Sequence, residues 1–500
     1  MTRPLAEVGS VVALLWRQVE GSNIMSRLSR REFLGTGFVA GAAVSLYGPL
    51  ACTVTREQQA KSAGKPNIVF ILSDDYGLDG VGCYGSDRHK GRTPNLDALA
   101  AGGIRFERCY STPLCGPTRC EINTGRYGFR TGGLTNPTGG NPLSKDEYPV
   151  ARILKEAGYD TCHVGKWRQM GETQGDWGFG EYVTDPTASG WYWQKSYTKN
   201  GKLIETQEEI YYPDVCHDYA VDFLRRHAPK AGAAAKPFYL YYPSHLVHGP
   251  ILRTPDSKPG ETDPVTLYND NVAYLDKQVG LLAAELDRLG LRENTLILFT
   301  GDNGTAQRSG TIHGRQINGQ KGTMLEGGAR VPLIASWKGV APAGRVLNDL
   351  VDFSDILPTF AEVAGTKPPQ GVTIDGRSFA AQLRGKKGNP REWIFVQLGR
   401  RWYVRDDGWK LNQAGELFDM KDAPFVEQLV PADSKDEAAV AARKRLQAVL
   451  DKLNPTGGKT ISAEDEAAEK TRTQKRAQRQ KQGLKQGQRK TRANQQPQPQ

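Results

Sequence analysis

Cys115-Gly116-Pro117-Thr118-Arg119 places a sulfur nucleophile at what reads as the first turn of a helix running to Gly125-Arg126. Pro117 suits that turn, because a first-turn amide has no intrahelical partner to lose. A helix N-terminus offers free amide hydrogens and partial positive charge, which favour a sulfate or phosphate group. Arg119, one turn on, can add charge-assisted hydrogen bonds. A second set of residues is all oxygen: Asp74-Asp75 and Asp302-Asn303. Hard cations such as Ca²⁺ take carboxylate and amide oxygens.

Both oxygen pairs end uninterrupted apolar runs. Ile68-Val69-Phe70-Ile71-Leu72 stops at Ser73-Asp74-Asp75, and Leu296-Ile297-Leu298-Phe299 stops at Gly301-Asp302-Asn303-Gly304. A third run, Phe238-Tyr239-Leu240-Tyr241-Tyr242, stops short of His245 and His248. Continuous runs of this kind predict strands covered on both faces. Helical patterns at residues 95–101, 150–157, 219–226 and 269–289 lie between them, which is the alternation of an α/β sheet. Ligands in open α/β sheets gather beyond the carboxyl ends of strands, so three strand ends bearing acids, an amide and imidazoles point to one site. From about residue 392, Trp393-Ile394-Phe395-Val396, Arg401-Trp402-Tyr403-Val404 and Trp409-Lys410-Leu411 predict short antiparallel strands. Residues 435–453 predict an amphipathic closing helix. The expected fold is α/β, a large and mostly parallel sheet flanked by helices, with a smaller C-terminal antiparallel sheet plus helix.

The formal charge of +11 suggests nucleic acid, but residues 470–500 alone carry ten Lys/Arg and no Asp/Glu. The rest is near neutral, so the basic run reads as a solvated, disordered tail and no nucleic-acid partner is expected. No apolar run reaches the roughly 18 residues of a membrane-spanning helix. Ser29-Arg30-Arg31-Glu32-Phe33-Leu34, followed by a mild Gly/Ala-rich apolar stretch, resembles a bacterial twin-arginine signal. Met25 just before it is the expected true start. Export to the periplasm or outside, through the twin-arginine (Tat) translocon, follows, and Cys52 is a candidate lipid anchor. Cys83, Cys109, Cys120, Cys162 and Cys216 remain as buried thiols or at most two bridges, and the absence of any CxxC pair argues against zinc.

The C-x-P-x-R sequence followed by Gly125-Arg126 resembles the signature of the type I sulfatases, formylglycine-dependent members of the alkaline phosphatase superfamily. Residues 66–77 (PNIVFILSDDYG), 93–110, Gly165-Lys166-Trp167, Gly301-Asp302-Asn303-Gly304, 321–332 (KGTMLEGGARVP), 352–365, Asp375-Gly376 and 416–420 resemble further motifs of that family. The resemblance implies that Cys115 is converted to formylglycine by a formylglycine-generating or sulfatase-maturing enzyme. It implies one Ca²⁺ (Mg²⁺ less favoured) held by Asp74, Asp75, Asp302, Asn303 and the modified Cys115. It also implies that Arg119, Lys166, His248 and Lys321 contact the sulfate and leaving group. Thr118 stands where the family has Ser. Arg168 stands where it commonly has a histidine that assists breakdown of the sulfated intermediate, and an arginine stays protonated and cannot act as that base. His245 reads as structural or supporting, and His163 as structural.

The expected organisation is an export signal over 1–52, a linker over 53–65, a catalytic α/β domain over 66–390, a small α+β subdomain over 391–455 and the basic tail over 456–500. The expected activity is hydrolysis of a sulfate monoester, on a sulfated small molecule or carbohydrate. The rivals are a phosphonate or phosphate monoester hydrolase of the same superfamily and a weakly active protein that binds anionic glycans. Trp177, Trp191, Tyr192 and Trp193 form an aromatic-rich insertion that would either stack on sugar rings or build local core.

Overall fold

Strand β1 (Asn67–Ser73) is buried along its whole length, and its two faces feed different cores. Val69 and Ile71 pack with Leu240, Ile297, Phe299, Leu275 and Leu282. Ile68, Phe70 and Leu72 pack with Tyr239, Tyr241, Leu298, Ile122 and Phe360. A strand covered on both sides needs no polar alternation, hence the continuous apolar run. The computed structural model describes residues 64–471 apart from 137–145, 168–172, 186–191, 230–235, 307–308, 465 and 469–470. The expected export signal, Cys52, the basic run beyond residue 471, Arg168 and Trp191 lie outside the described residues.

The main sheet comprises β1, β2 (Ile104–Tyr110), β3 (Asp160–Val164), β4 (Glu181–Thr184), β5 (Trp193–Lys199), β6 (Lys202–Tyr211), β7 (Phe238–Pro243) and β8 (Thr295–Gly301), with two later strands. After the short ribbon of β9 (Thr311–Ile312) and β10 (Arg315–Gln316), β11 (Arg330–Trp337) and β12 (Arg345–Asp352) complete it. The order is β12-β2-β11-β8-β1-β7-β3-β4-β5-β6. Its centre, from β8 through β1, β7 and β3 to β4, is parallel. Antiparallel pairs occur on either side. The longer helices are α1 (Pro94–Ala101), α2 (Cys115–Thr124), α3 (Val150–Glu156), α4 (Tyr212–Arg226), α5 (Pro264–Arg288) and α6 (Ile356–Val363). Residues of α1, α4 and α5 join the core on one face of the sheet, and residues of α2, α3 and α6 the core on the other.

Helix α4 begins at Tyr212, upstream of the predicted 219, because the buried stripe Tyr212, Cys216, Ala220, Phe223, Leu224 continues back to a first-turn Pro213. Helix α5 begins at Pro264, capped by the Asp263 side chain on the Thr266 amide (2.8 Å). The C-terminal sheet is antiparallel and has five strands rather than the three expected: β13 (Ile394–Leu398), β14 (Arg401–Arg405), β15 (Trp409–Asn412), β16 (Leu417–Asp419) and β17 (Gln428–Val430). The last two are too short to show a period. Helix α7 (Glu437–Leu453) seats Ala439, Ala442, Leu446 and Leu450 on Phe395, Val404, Leu411 and Leu417. The opposite face, Ile394, Val396 and Tyr403, packs on Tyr110, Ala329 and Leu350. The described cysteines are thiols. No described helix is long and apolar enough to cross a membrane.

Candidate active site

The parallel register assembles the site. Ser73 pairs with Gly301 across β1 and β8, so Asp74 and Asp302 leave adjacent strands side by side. On the other flank Leu72 pairs with Pro243, and β7 runs on into the loop bearing His245 and His248. The ladder continues past the strand ends, with the Asp302 amide donating to the Ser73 carbonyl and the Asp74 amide to Leu246, both at 2.8 Å. The Lys166 amide donates to the Pro243 carbonyl at 2.8 Å. The turn before Lys166 requires glycine: Gly165 has φ +120°, and a Cβ there would lie 2.2 Å from the Pro243 oxygen. Asp75 takes the left-handed conformation at φ +58°, tolerable for aspartate. Lys321 arrives on a loop tied by its amide to the Thr305 carbonyl (3.2 Å) and by the Gly322 amide to Pro113 (2.7 Å). Cys115 opens α2, every residue of which is buried.

These groups converge. One potential ligand atom from each of Asp74, Cys115 and Asp302 lies within 4.8 Å of the others, and the same holds for Asp74, Asp75 and His248. Arg119 Nη2 stands 2.8 Å from Asp302 Oδ2 and 3.8 Å from Asp74 Oδ2. Lys166 Nζ donates to Asp74 Oδ2, and Lys321 Nζ to Asp75 Oδ1. Asn303 Nδ2 donates to Asp75 Oδ1 at 2.9 Å, and His248 Nε2 lies 3.6 Å from Asp75 Oδ2. Three buried carboxylates thus face three buried cationic side chains. Two acceptors within this cluster, Asp74 Oδ1 and Asn303 Oδ1, are buried with no hydrogen bond among the described residues. Thr118 points elsewhere, its hydroxyl meeting that of Thr112 at 2.8 Å.

The charges shape one another. Burial raises the Asp74 pKa, but Lys166, His248, Arg119 and Lys321 outweigh it and hold the carboxyl well below its ordinary range. Burial and then the Asp74 charge push Asp302 up to about 7, against Arg119 and Lys166. Burial pushes His248 down to about 4, against the pull of Asp75. Burial would lower Lys321, but Asp75 and then Cys115 and Asp74 raise it above the ordinary lysine value. Neighbouring charge therefore decides the sign for Asp74 and Lys321, and burial decides it for Asp302 and His248.

Other predicted residues stand outside this cluster. His245 Nε2 lies 3.4 Å from Asp185 Oδ1, and burial lowers its pKa despite that carboxylate. His163 is enclosed by Trp167, Phe179 and Tyr241 and pushed by burial, then Arg119, to about 3. Trp177 and Tyr192 are buried, and half-buried Trp193 donates its indole N–H to the Arg253 carbonyl, so the described aromatics of that insertion build core rather than an open platform. Two contacts had no sequence signal. The Asn136 side chain reaches Cys115, and the Tyr192 hydroxyl donates to the His248 carbonyl at 2.6 Å.

The sulfatase family model matches residues 66–366. N-acetylgalactosamine-6-sulfatase of Canis lupus familiaris is 33% identical over 371 residues, 67% of this chain and 69% of that protein. Arylsulfatase A of Homo sapiens is 33% identical over 372 residues, 67% of this chain and 70% of that protein. The crystal structure of Ps i-CgsB in complex with k-i-k-neocarrahexaose superposes with a TM-score of 0.65 at 27% identity, covering 78% of this chain and 92% of that one. A match extending from the first Asp pair past Lys321, on this fold, makes the chain a sulfuric ester hydrolase belonging to the sulfatase family, within the alkaline phosphatase superfamily.

Proposed function

We propose that the enzyme hydrolyses a sulfate monoester on a sulfated carbohydrate, through a formylglycine gem-diol made from Cys115 beside a Ca²⁺ ion. The observation that carries this reading is the place of Cys115 Sγ, at the N-terminus of α2 and within 4.8 Å of oxygens of Asp74 and Asp302. The surroundings fit a hard cation. Asp74 Oδ1 and Asn303 Oδ1 are buried acceptors without hydrogen bonds among the described residues, and burial and then the Asp74 charge raise Asp302. Asp74, Asp75, Asp302 and Asn303 would hold the ion, with an oxygen on residue 115. Bound there, it supplies positive charge that polarises the sulfate and offsets the charge developing in transfer.

The Cys115 sulfur stands where one oxygen of the mature side chain sits. One hydroxyl of the hydrate attacks sulfur and passes its proton to the Asp302 carboxylate nearby: the new O–S bond forms as the S–O bond to the sugar breaks. The departing oxygen takes a proton from Lys321, which the neighbouring acids keep charged, and His248, held neutral by burial, donates a hydrogen bond to that oxygen. Arg119 and Lys166, preorganised in a water-poor site, turn their donors to the sulfate oxygens. The second hydroxyl then gives its proton to the group that protonated the leaving oxygen, now neutral, the carbonyl forms again, the C–O bond to sulfate breaks, and the aldehyde is ready to be rehydrated. A carbohydrate substrate is supported by the carrahexaose bound in the 27% identical neighbour. The twin-arginine sequence at residues 29–34 supports export, which would bring the enzyme to such polysaccharides.

Peptide mass spectrometry of active enzyme is expected to find residue 115 as the aldehyde, lighter than cysteine, and Cys115→Ala is expected to be inactive. Sulfate release over a panel of sulfated sugars identifies the substrate, and nitrophenyl sulfate is expected to turn over faster than nitrophenyl phosphate. An unmodified thiol in fully active protein refutes the nucleophile, and faster phosphate turnover assigns the site to phosphomonoesters.

A further inference from the structure

We propose that Asn136 hydrogen-bonds the nucleophile itself and aligns it for attack. Leu114, at the N-cap of α2, has no side chain that can cap the helix, so the first amides need an acceptor from elsewhere. Asn136 supplies it from a distant loop: its Oδ1 accepts the Gly116 N–H at 2.9 Å. That bond settles which way the amide faces, because only the oxygen can accept there. Nδ2 is thereby turned toward Cys115, 3.4 Å from Sγ. In the mature side chain an oxygen occupies the region of Sγ, so Nδ2 donates to the aldehyde or to one hydroxyl of its hydrate. Donation to the aldehyde oxygen favours addition of water, whose oxygen bonds the carbonyl carbon while a proton passes to the carbonyl oxygen. Donation to the hydrate fixes the rotation of the two hydroxyls between the acids and the sulfate. The same amide group therefore holds the helix end and the reacting side chain in one orientation.

This inference rests on the formylglycine reading, which the mass of residue 115 in the parent enzyme tests before any variant is made; a thiol there sinks that reading and this one with it. Two variants then separate alignment from capping. Asn136→Asp keeps an acceptor for the Gly116 amide, and a carboxylate suits a helix N-terminus, but it has no N–H to offer residue 115. Asn136→Ala loses both. With residue 115 converted in both variants, kcat on nitrophenyl sulfate is expected to fall about 3- to 10-fold in each, the span of one hydrogen bond between neutral groups. KM is expected to stay within about threefold, since substrate binding is not the step lost. Asn136→Asp is expected to keep the parent's thermal midpoint. Parental kcat in Asn136→Asp reduces Asn136 to a helix cap and overturns the proposal. A loss confined to KM, or one matched by unconverted thiol at residue 115, overturns it as well.

Discussion

Asp352→Asn is expected to flatten the pH dependence of stability above pH 4, and the sign follows from burial. Asp352 is 1% exposed. It accepts from the Tyr127 hydroxyl at 2.8 Å and the Ser354 amide at 3.1 Å, and it lies 3.2 Å from Arg391. Arg391 is shared with Asp355, its Nε standing 2.7 Å from Oδ2, so one guanidinium serves two buried acids. Burial pushes Asp352 up to about 7 against the pull of Arg391. Burial and then the Asp352 charge push Glu121, on the nucleophile helix, well above the carboxylate range. With its folded pKa above the unfolded value, Asp352 contributes stability that is complete below about pH 4 and lost as pH climbs through about 7. A shift of about three units corresponds to about 4 kcal/mol at most, and sharing of charge with Glu121, Asp355 and Arg391 brings the expected change to about 2–4 kcal/mol. Asparagine keeps the shape and neutrality of the protonated acid, and the Tyr127 hydroxyl can rotate to accept from its amide. Urea unfolding at pH 5 and pH 8 is expected to show the parent losing about 1–2.5 kcal/mol more than the variant over that interval, since part of the effect lies below pH 5, with unchanged denaturant slopes. The parent–variant difference cancels the titration of groups that do not interact with Asp352. Equal losses in the two proteins would mean that Asp352 is ionised in the fold throughout, and the reasoning from burial would fail.

Two further outcomes follow from the site. Tyr192→Phe removes the hydroxyl donor to the His248 carbonyl (2.6 Å) and loosens the loop that carries His248; kcat is expected to fall more on a sugar sulfate than on nitrophenyl sulfate, whose leaving oxygen needs no proton, and equal losses would detach Tyr192 from assistance to the leaving group. Stripping divalent cations with a chelator is expected to lower the thermal midpoint, because an ion at about 100 times its Kd stabilises by about 2.7 kcal/mol; Ca²⁺ is expected to restore the midpoint better than Mg²⁺, and a midpoint indifferent to both would empty the cluster around Asp74 and Asn303 of its assigned ion.

The fold was most legible where burial is simplest. The runs ending at Leu72, Tyr242 and Phe299 are central parallel strands covered on both faces, so hydrophobicity alone marks them. Helix starts were less legible, as α4 shows: Tyr211 ends β6 and Tyr212 begins the helix with no intervening loop, so no turn residues announce the change. The hairpin of β5 and β6 at the sheet edge was not anticipated. Its mixed sequence, with Lys, Glu and Thr among the apolar residues, is exposed or half-buried up to its last residue and lacks the apolar alternation from which a strand is read.

The site divides in the same physical way. Asp74-Asp75 and Asp302-Asn303 could be read as a pair because each ends a strand, and the Ser73–Gly301 register then forces them together. Cys115 could be read because a helix N-terminus gives a nucleophile a reason to stand there. Lys166 and Lys321 were reached only through resemblance, since nothing in a lone lysine distinguishes a buried partner of Asp74 or Asp75 from a solvated charge. Asn136 was reached by neither route, and Tyr192 only as an aromatic of the insertion, not as a partner of His248. Their roles depend on loop paths set by tertiary hydrogen bonds to Gly116 and His248, and such bonds leave no period in the sequence. The division follows from how chain order maps onto space: secondary structure carries the acids and the nucleophile to one edge of the sheet, whereas the groups that orient them arrive from segments whose only constraint is the site itself. Substitutions at Asn136 and Tyr192 should therefore separate catalysis from folding more cleanly than substitutions at Asp74 or Asp302, where removing one carboxylate takes a buried partner from Arg119 and, at Asp74, from Lys166 as well.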